Sequence, residues 1–303
     1  MVKRQNPLQI NELDRAGDGD GKTALVTGAS SGIGRALAEL LAAKGYRVVM
    51  LARRRERLEA MSVSIRNRWG VDALPLIADL SDPKTPAKVV EELPALTSGI
   101  DLLVNNAGFS APGRYHVRSW TEHERRLQVM GIATLELTHR LLPGMVERRW
   151  GRIINVASIA ALFSGTPQDV VYGATKALVF NFSLGVDAEF RNQGIRCTVS
   201  VPGFTDTEIF DASGFSNRVS QNRAYRAAMM APETVARQAY GGVMRGQPVV
   251  IHGRRHRALA FLLVHAPSAT RRMISSALSN TIGPEDGSKE SLNTSGETMP
   301  TLE

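Results

Sequence analysis

From Lys22 onward, short runs of aliphatic and β-branched residues alternate with longer stretches whose apolar positions recur every three or four residues. The apolar runs are TALVT (23–27), RVVMLA (47–52), ALPLIA (73–78), DLLVNN (101–106), GRIINVAS (151–158), IRCTVSVP (195–202) and PVVIH (248–252). Runs with so little polar alternation are buried on both faces, which predicts strands of a parallel sheet. Segments such as 34–45, 54–70 and 81–93 then become the crossover helices. The pattern reads as one α/β domain over residues 21–253, a Rossmann-type doubly wound parallel sheet of about seven strands. In such sheets ligands sit beyond the carboxyl ends of the strands, so the chemistry is sought there.

The first strand runs into TGASSGIG, where Gly28, Gly32 and Gly34 open the following helix together with Ser30, Ser31 and Ile33. Glycines let the backbone turn tightly and approach a pyrophosphate, while a helix N-terminus offers free N–H groups and partial positive charge. A glycine-rich turn placed between a strand and a helix is a dinucleotide site. An NAD site places an acid at the end of the second strand for the ribose 2′-hydroxyl. This chain has Arg53, Arg54 and Arg55 there, with no acid before Glu56. Guanidinium groups suit a 2′-phosphate, and the helix dipole disfavours cations at that end unless an anion joins them. The expectation is NADP(H) over NAD(H). Farther on, YGATKA puts Tyr172 and Lys176 four residues apart at the start of a helix, where they share one face.

Composition narrows the picture. A single cysteine, Cys197, excludes an internal disulfide framework and reads as a small buried hydrophobe. No Cys/His cluster has metal-ligand spacing; His116, His123 and His139 read as surface or helix residues, and no metal is expected. Asp18 and Asp20 with their glycines lack the closing glutamate of a calcium loop. The formal charge of +8 comes without aromatic stacking ladders or a reader motif, so nucleic acid is not expected as a partner. No signal sequence or membrane span is evident, which makes a cytoplasmic location the expectation. Residues 1–20 read as a flexible tail and 284–303 as a disordered one. Between the domain and that second tail, 254–283 reads as a basic and apolar helical extension. Its apolar stretch Leu259 to Val264 is flanked by Arg254, Arg255, Arg257, Arg271 and Arg272, so residues 254–273 are a candidate for peripheral membrane contact.

Taken in order, these motifs resemble the short-chain dehydrogenase/reductase family over roughly residues 20 to 253. The resemblance implies a cofactor site at TGASSGIG, at Asp79 with Leu80, at NNAG (Asn106, Ala107 and Gly108 on the adenine ribose), and at Pro202, Gly203, Thr205 and Thr207. It also implies catalysis by Ser158, Tyr172 and Lys176. The tyrosine would exchange a proton with a carbonyl or alcohol substrate, the serine would donate to its oxygen, the lysine would bond the nicotinamide ribose, and the lysine ammonium together with a cationic nicotinamide would favour the phenolate. A free phenol titrates near 10, so that help is needed at neutral pH. Asp79 is alternatively a cap for the helix at 81–93. A homodimer or homotetramer is implied as well.

One departure stands out. Met130 occupies the place of the asparagine that completes the family's catalytic tetrad and marks a bend in the fourth helix. Gly131 follows it and relaxes the helix, so the bend is expected without the amide, with the Met130 carbonyl facing a water near Lys176. The primary expectation is an NADP(H)-dependent oxidoreductase interconverting a ketone or aldehyde and an alcohol. The alternative is a cofactor-binding protein with weakened catalysis, serving as a sensor or interaction partner. Substrate choice is expected in 203–233, with Phe204, Phe210, Phe215, Met229 and Met230 as candidate walls of an apolar pocket.

Overall fold

The computed structural model describes residues 17–208 and 229–282, with side chains up to residue 277. Most of the two tails, and Phe210 and Phe215 of the substrate segment, lie outside the described residues.

Seven strands form one parallel sheet: β1 (Thr23–Thr27), β2 (Arg47–Ala52), β3 (Ala73–Ile77), β4 (Leu102–Asn105), β5 (Gly151–Val156), β6 (Ile195–Val201) and β7 (Val249–Ile251). Their order is β3-β2-β1-β4-β5-β6-β7. Pro75 is confined to the edge strand β3, where a missing N–H costs no central ladder bond. Alternate strand residues feed two cores. Ala24, Val26, Leu102, Val104 and Ile154 face helices α1 (Gly32–Ala43), α2 (Arg55–Trp69) and α7 (Pro232–Met244). Leu25, Leu103, Ile153 and Cys197 face α3 (Thr85–Glu92), α5 (Ala133–Glu147) and α6 (Val170–Phe190). Both faces are therefore dry, which explains the near-continuous apolar runs.

The chain winds outward through β2 and β3, then returns past β1 to β4. This reversal opens a crevice at the carboxyl ends of β1 and β4.

Local chemistry sets the remaining boundaries. Gly70 ends α2 in the left-handed region (φ +70°), and Ser119 starts α4 (Trp120–Leu127) with a reciprocal capping box to Glu122. The helix expected from 81 begins only at Thr85. Asp79 does not cap it: its Oδ1 accepts the N–H of Ser81 at 3.0 Å, a local turn that delays the helix. Between α4 and α5 the backbone opens into a π-helical turn, Gln128–Ile132, centred on Met130 and Gly131. A Cβ on Gly131 would sit 3.3 Å from Leu178 and Thr175, so the absent side chain lets this turn pack against α6. After β7, α8 (Arg254–His265) buries His256, Ala260 and Leu263, and α9 (Ser268–Ile282) follows; the Ser275 hydroxyl accepts the Ser164 N–H at 3.0 Å. Among the described residues no helix is long and apolar enough to cross a membrane.

Candidate active site

A cleft of about 410 Å³ runs along the carboxyl ends of the strands. At one end lies the glycine turn. Gly28 (φ +66°) and Gly32 (φ +54°) adopt conformations that side chains disfavour, and a Cβ on Gly28 would fall 2.9 Å from the Ala107 backbone. The Thr27 hydroxyl accepts the N–H groups of Asn106 and Ala107 at 2.9 and 3.0 Å. The Asn106 amide donates to the carbonyls of Thr27 and Gly28 at 3.0 and 3.3 Å. NNAG is thus a staple on the glycine turn as well as part of the cleft wall. No acid in the first turn of α1 neutralises its positive end, which suits a pyrophosphate.

Ser30, Ser31, Gly32, Ile33, Arg53, Arg54, Asp79, Leu80, Gly108, Pro202, Gly203 and Thr205 all line the same cleft, as do Ser158, Tyr172 and Lys176. Gly34 does not. It is buried inside α1, where a Cβ would collide with the Gly28 backbone and Asn106, so it serves close packing. The cradle of side-chain-free backbone, helix N-terminus and polar flanks fits a nicotinamide dinucleotide.

At the second-strand end Arg54 is tied down. Its Nε and Nη2 donate to the Ser30 hydroxyl at 3.0 and 2.9 Å, Nη2 donates to Ser31 at 2.7 Å, and Nη1 donates to Glu208 at 2.6 Å. Arg53 lies 3.7 Å from Asp79 in an exposed pair, and Arg55 turns away to Glu59 at 3.5 Å. Asp79 feels some upward pressure from burial, but the Ser81 backbone and hydroxyl and the Arg53 charge hold its carboxyl below the usual range.

At the other end, β5 delivers Ser158 and α6 delivers Tyr172 and Lys176. The Ser158 hydroxyl accepts the N–H of Ala160 at 3.2 Å and lines the cleft together with Tyr172. Lys176, 5% exposed, donates to the Val156 carbonyl at 2.8 Å and lies 5.7 Å from the centroid of the Tyr172 ring. Burial pushes the Tyr172 phenol up to about 12, against a smaller lowering by Ser158, and pushes Lys176 down to about 8. The lysine faces the ring and a backbone carbonyl.

Met130 is 1% exposed, and its sulfur lies 3.3 Å from where a Gly108 Cβ would be, with the Lys176 Nζ 3.7 Å from that point. The bend expected there is present as the π turn. The Met130 carbonyl accepts the Thr134 hydroxyl at 3.0 Å.

Two features escaped the sequence. Arg126, 2% exposed, pairs with Asp169 and donates to the Ala111 carbonyl at 3.3 Å, while the second Asp169 oxygen accepts from Ser110 at 2.8 Å. Asp169 and Ser110 line the cleft beside Tyr172. Gln168 next to them sits at φ +69°, held through its carbonyl by the Gly113 N–H at 2.6 Å. The second feature is a buried histidine pair. His252 bonds Ser200 at 2.8 Å and Gln238 at 3.1 Å, and burial, aided by His256, pushes it down to about 4. The His256 ring packs under Gly203, which leaves no space for a side chain at that position. His123 is also buried, bonding the Tyr115 carbonyl at 2.9 Å, where the sequence left surface or helix open.

Residues 22–216 match the family model described as short chain dehydrogenase. The chain belongs to that family. This short-chain dehydrogenase is 35% identical over 189 residues to the 3-oxoacyl-(acyl-carrier-protein) reductase FabG of Aquifex aeolicus, covering 62% of this chain and 76% of that one. It is 34% identical over 208 residues to a serine 3-dehydrogenase of Rhizobium radiobacter, covering 67% and 80%. Among solved structures it is similar to a short-chain dehydrogenase from Sphingobium yanoikuyae in complex with NADPH, with 27% identity, a TM-score of 0.69, and coverage of 91% and 98%. The family's members are nicotinamide-dependent reductases and dehydrogenases, and this chain is such an oxidoreductase.

Proposed function

We propose that this short-chain dehydrogenase interconverts a ketone or aldehyde and an alcohol with NADP(H), using Tyr172 as general acid and base. The observation that carries the reading is that Ser158, Tyr172 and Lys176 line the same cleft as the glycine turn, with Lys176 5.7 Å from the centroid of the Tyr172 ring. A bound nicotinamide would supply or accept the hydride. The chain's own part is to place a proton: Tyr172 gives it to the substrate oxygen, Ser158 donates a second hydrogen bond as negative charge develops there, and Lys176 holds the cofactor ribose. The test is a screen of cofactor oxidation and reduction by purified protein over ketones, aldehydes and alcohols. Turnover on at least one class supports the reading; nucleotide binding without turnover on any of them favours the sensor alternative.

The preference for NADP(H) rests on Arg54, whose guanidinium faces the cleft at the end of β2, with Arg53 beside it. Binding at least about tenfold tighter than NAD(H), or 1.4 kcal/mol, is expected in a fluorescence titration, and equal affinities would remove the preference. A homodimer or homotetramer in the cytoplasm is part of the same proposal.

Peripheral contact with anionic lipid through residues 254–273 is supported by charge and exposure. Arg237, Arg245, Arg254, Arg255, Arg257, Arg271 and Arg272 fall in residues 234–284, which contain no Asp or Glu, so most of the chain's +8 excess lies there. Phe261, Leu262, Val264 and Met273 are exposed among them. Flotation with anionic liposomes at low salt should carry the full chain; protein left unbound would remove this contact.

A further inference from the structure

Glu208 bridges two arginines at the adenosine end of the cleft. Its Oε2 accepts from Arg54 Nη1 at 2.6 Å and its Oε1 from Arg57 Nη1 at 2.5 Å. Both arginines hold its carboxyl below the usual range, Arg54 most of all. Glu208 directly follows Thr205, Asp206 and Thr207, on the cleft-lining segment that leaves β6, and Thr207 lies against Gly32 of the glycine turn. One carboxylate therefore joins the segment after β6 to two arginines at the start of α2.

A guanidinium has five N–H donors. In Arg54 the bonds to Ser30, Ser31 and Glu208 use four of them, leaving one on Nη1. A phosphate that reaches Arg54 with two oxygens must therefore take the place of one present partner. The serines are neutral and can remain or rotate. Glu208 is the anion, and its charge opposes a phosphate dianion at this distance. Its carboxylate offers the two arginines the same paired-oxygen geometry that a phosphate would. The pairs are roughly half exposed, with side-chain exposures of 42% for Arg54, 49% for Arg57 and 45% for Glu208, so the hold is weak enough to exchange.

We infer that Glu208 is a specificity-setting residue that competes with the cofactor 2′-phosphate for Arg54 and Arg57, tempering the preference for NADP(H). The inference rests on the reading that Arg54 receives the 2′-phosphate. NAD(H), lacking that phosphate, leaves the bridge in place. NADP(H) displaces it and releases Glu208 from Arg54 and Arg57.

The test is calorimetric titration of the full chain and its Glu208→Gln variant with 2′,5′-ADP and with ADP. Glutamine keeps the size and removes the charge. The expected result is binding of 2′,5′-ADP about fivefold or more tighter in the variant, with ADP affinity within about twofold of the original. Unchanged or weaker 2′,5′-ADP binding overturns the competition, since the carboxylate would then be a spectator or a support of the arginines. Tightening of both ligands alike also overturns it, because the effect would not depend on the 2′-phosphate. The preference of the unaltered chain for 2′,5′-ADP over ADP tests the underlying NADP(H) reading separately. No preference there, together with tightening in the variant, removes the NADP(H) preference and keeps the competition.

Discussion

The Lys176 ammonium donates to the carbonyl of Val156 at 2.8 Å, at the end of β5, while its charge faces the Tyr172 ring. The bond fixes where the lysine points, and burial depresses it to about 8 from an ordinary 10.5. Between about pH 8 and pH 10.5 the unfolded chain holds a proton that the folded chain has released, so stability rises with pH across that window. Below it the full cost of burying the charge is present; above it the cost is gone. Lys176→Met removes that cost, although it also loses the Val156 bond at every pH. Relative to the unaltered protein, the variant should therefore gain about 3 kcal/mol more at pH 7 than at pH 10.5, measured by denaturant unfolding at both. A difference independent of pH would show that the lysine is not strained by burial.

Met130 places a thioether where hydrogen bonds could serve the lysine. Met130→Asn should raise kcat on a working substrate by a factor of up to about ten, because an amide gives the ammonium side of the site a polar partner that sulfur cannot. The KM for cofactor should hardly change. A stability loss of about 1–3 kcal/mol is expected if the amide is left partly unpaired in this buried position. A crystal structure of each form should keep the π turn, since Gly131 and its packing on α6 remain. Unchanged kcat together with a straight helix would contradict this view of the bend.

Asp169→Asn strands the Arg126 guanidinium in a position only 2% exposed. Removing one partner of a buried pair should destabilise the fold by about 3–5 kcal/mol. The double change Arg126→Met with Asp169→Asn should recover much of that loss. Thermal unfolding of the single and double variants measures the coupling, and additive losses would mean the pair is not an energetic unit.

The sequence and the structure agree wherever the signal was local. Strand runs were legible because both sheet faces are dry, and TGASSGIG was legible because one turn needs φ above zero at Gly28 and Gly32. Tyr172 and Lys176 were legible because one helical turn joins them. The Arg126–Asp169 pair spans 43 residues and the Glu208–Arg54 contact 154, so no spacing rule pointed to either. The burial of His256 is likewise a tertiary fact, set by the close approach of its ring to Gly203. Adjacency on a helix says that Tyr172 and Lys176 are near, while the direction of Lys176 toward Val156 is a tertiary fact.

Tyr172→Phe tests the central claim most directly. Phenylalanine keeps the ring that packs over Lys176 and removes only the proton-bearing oxygen. Assayed on a substrate found in the cofactor screen, the variant should lose turnover by a factor of about 100 or more, in the range expected for deleting a general acid. NADPH affinity, measured by fluorescence titration of the same preparation, should stay within about twofold. Turnover close to that of the unaltered enzyme, with cofactor binding intact, would contradict the assignment of proton transfer to Tyr172.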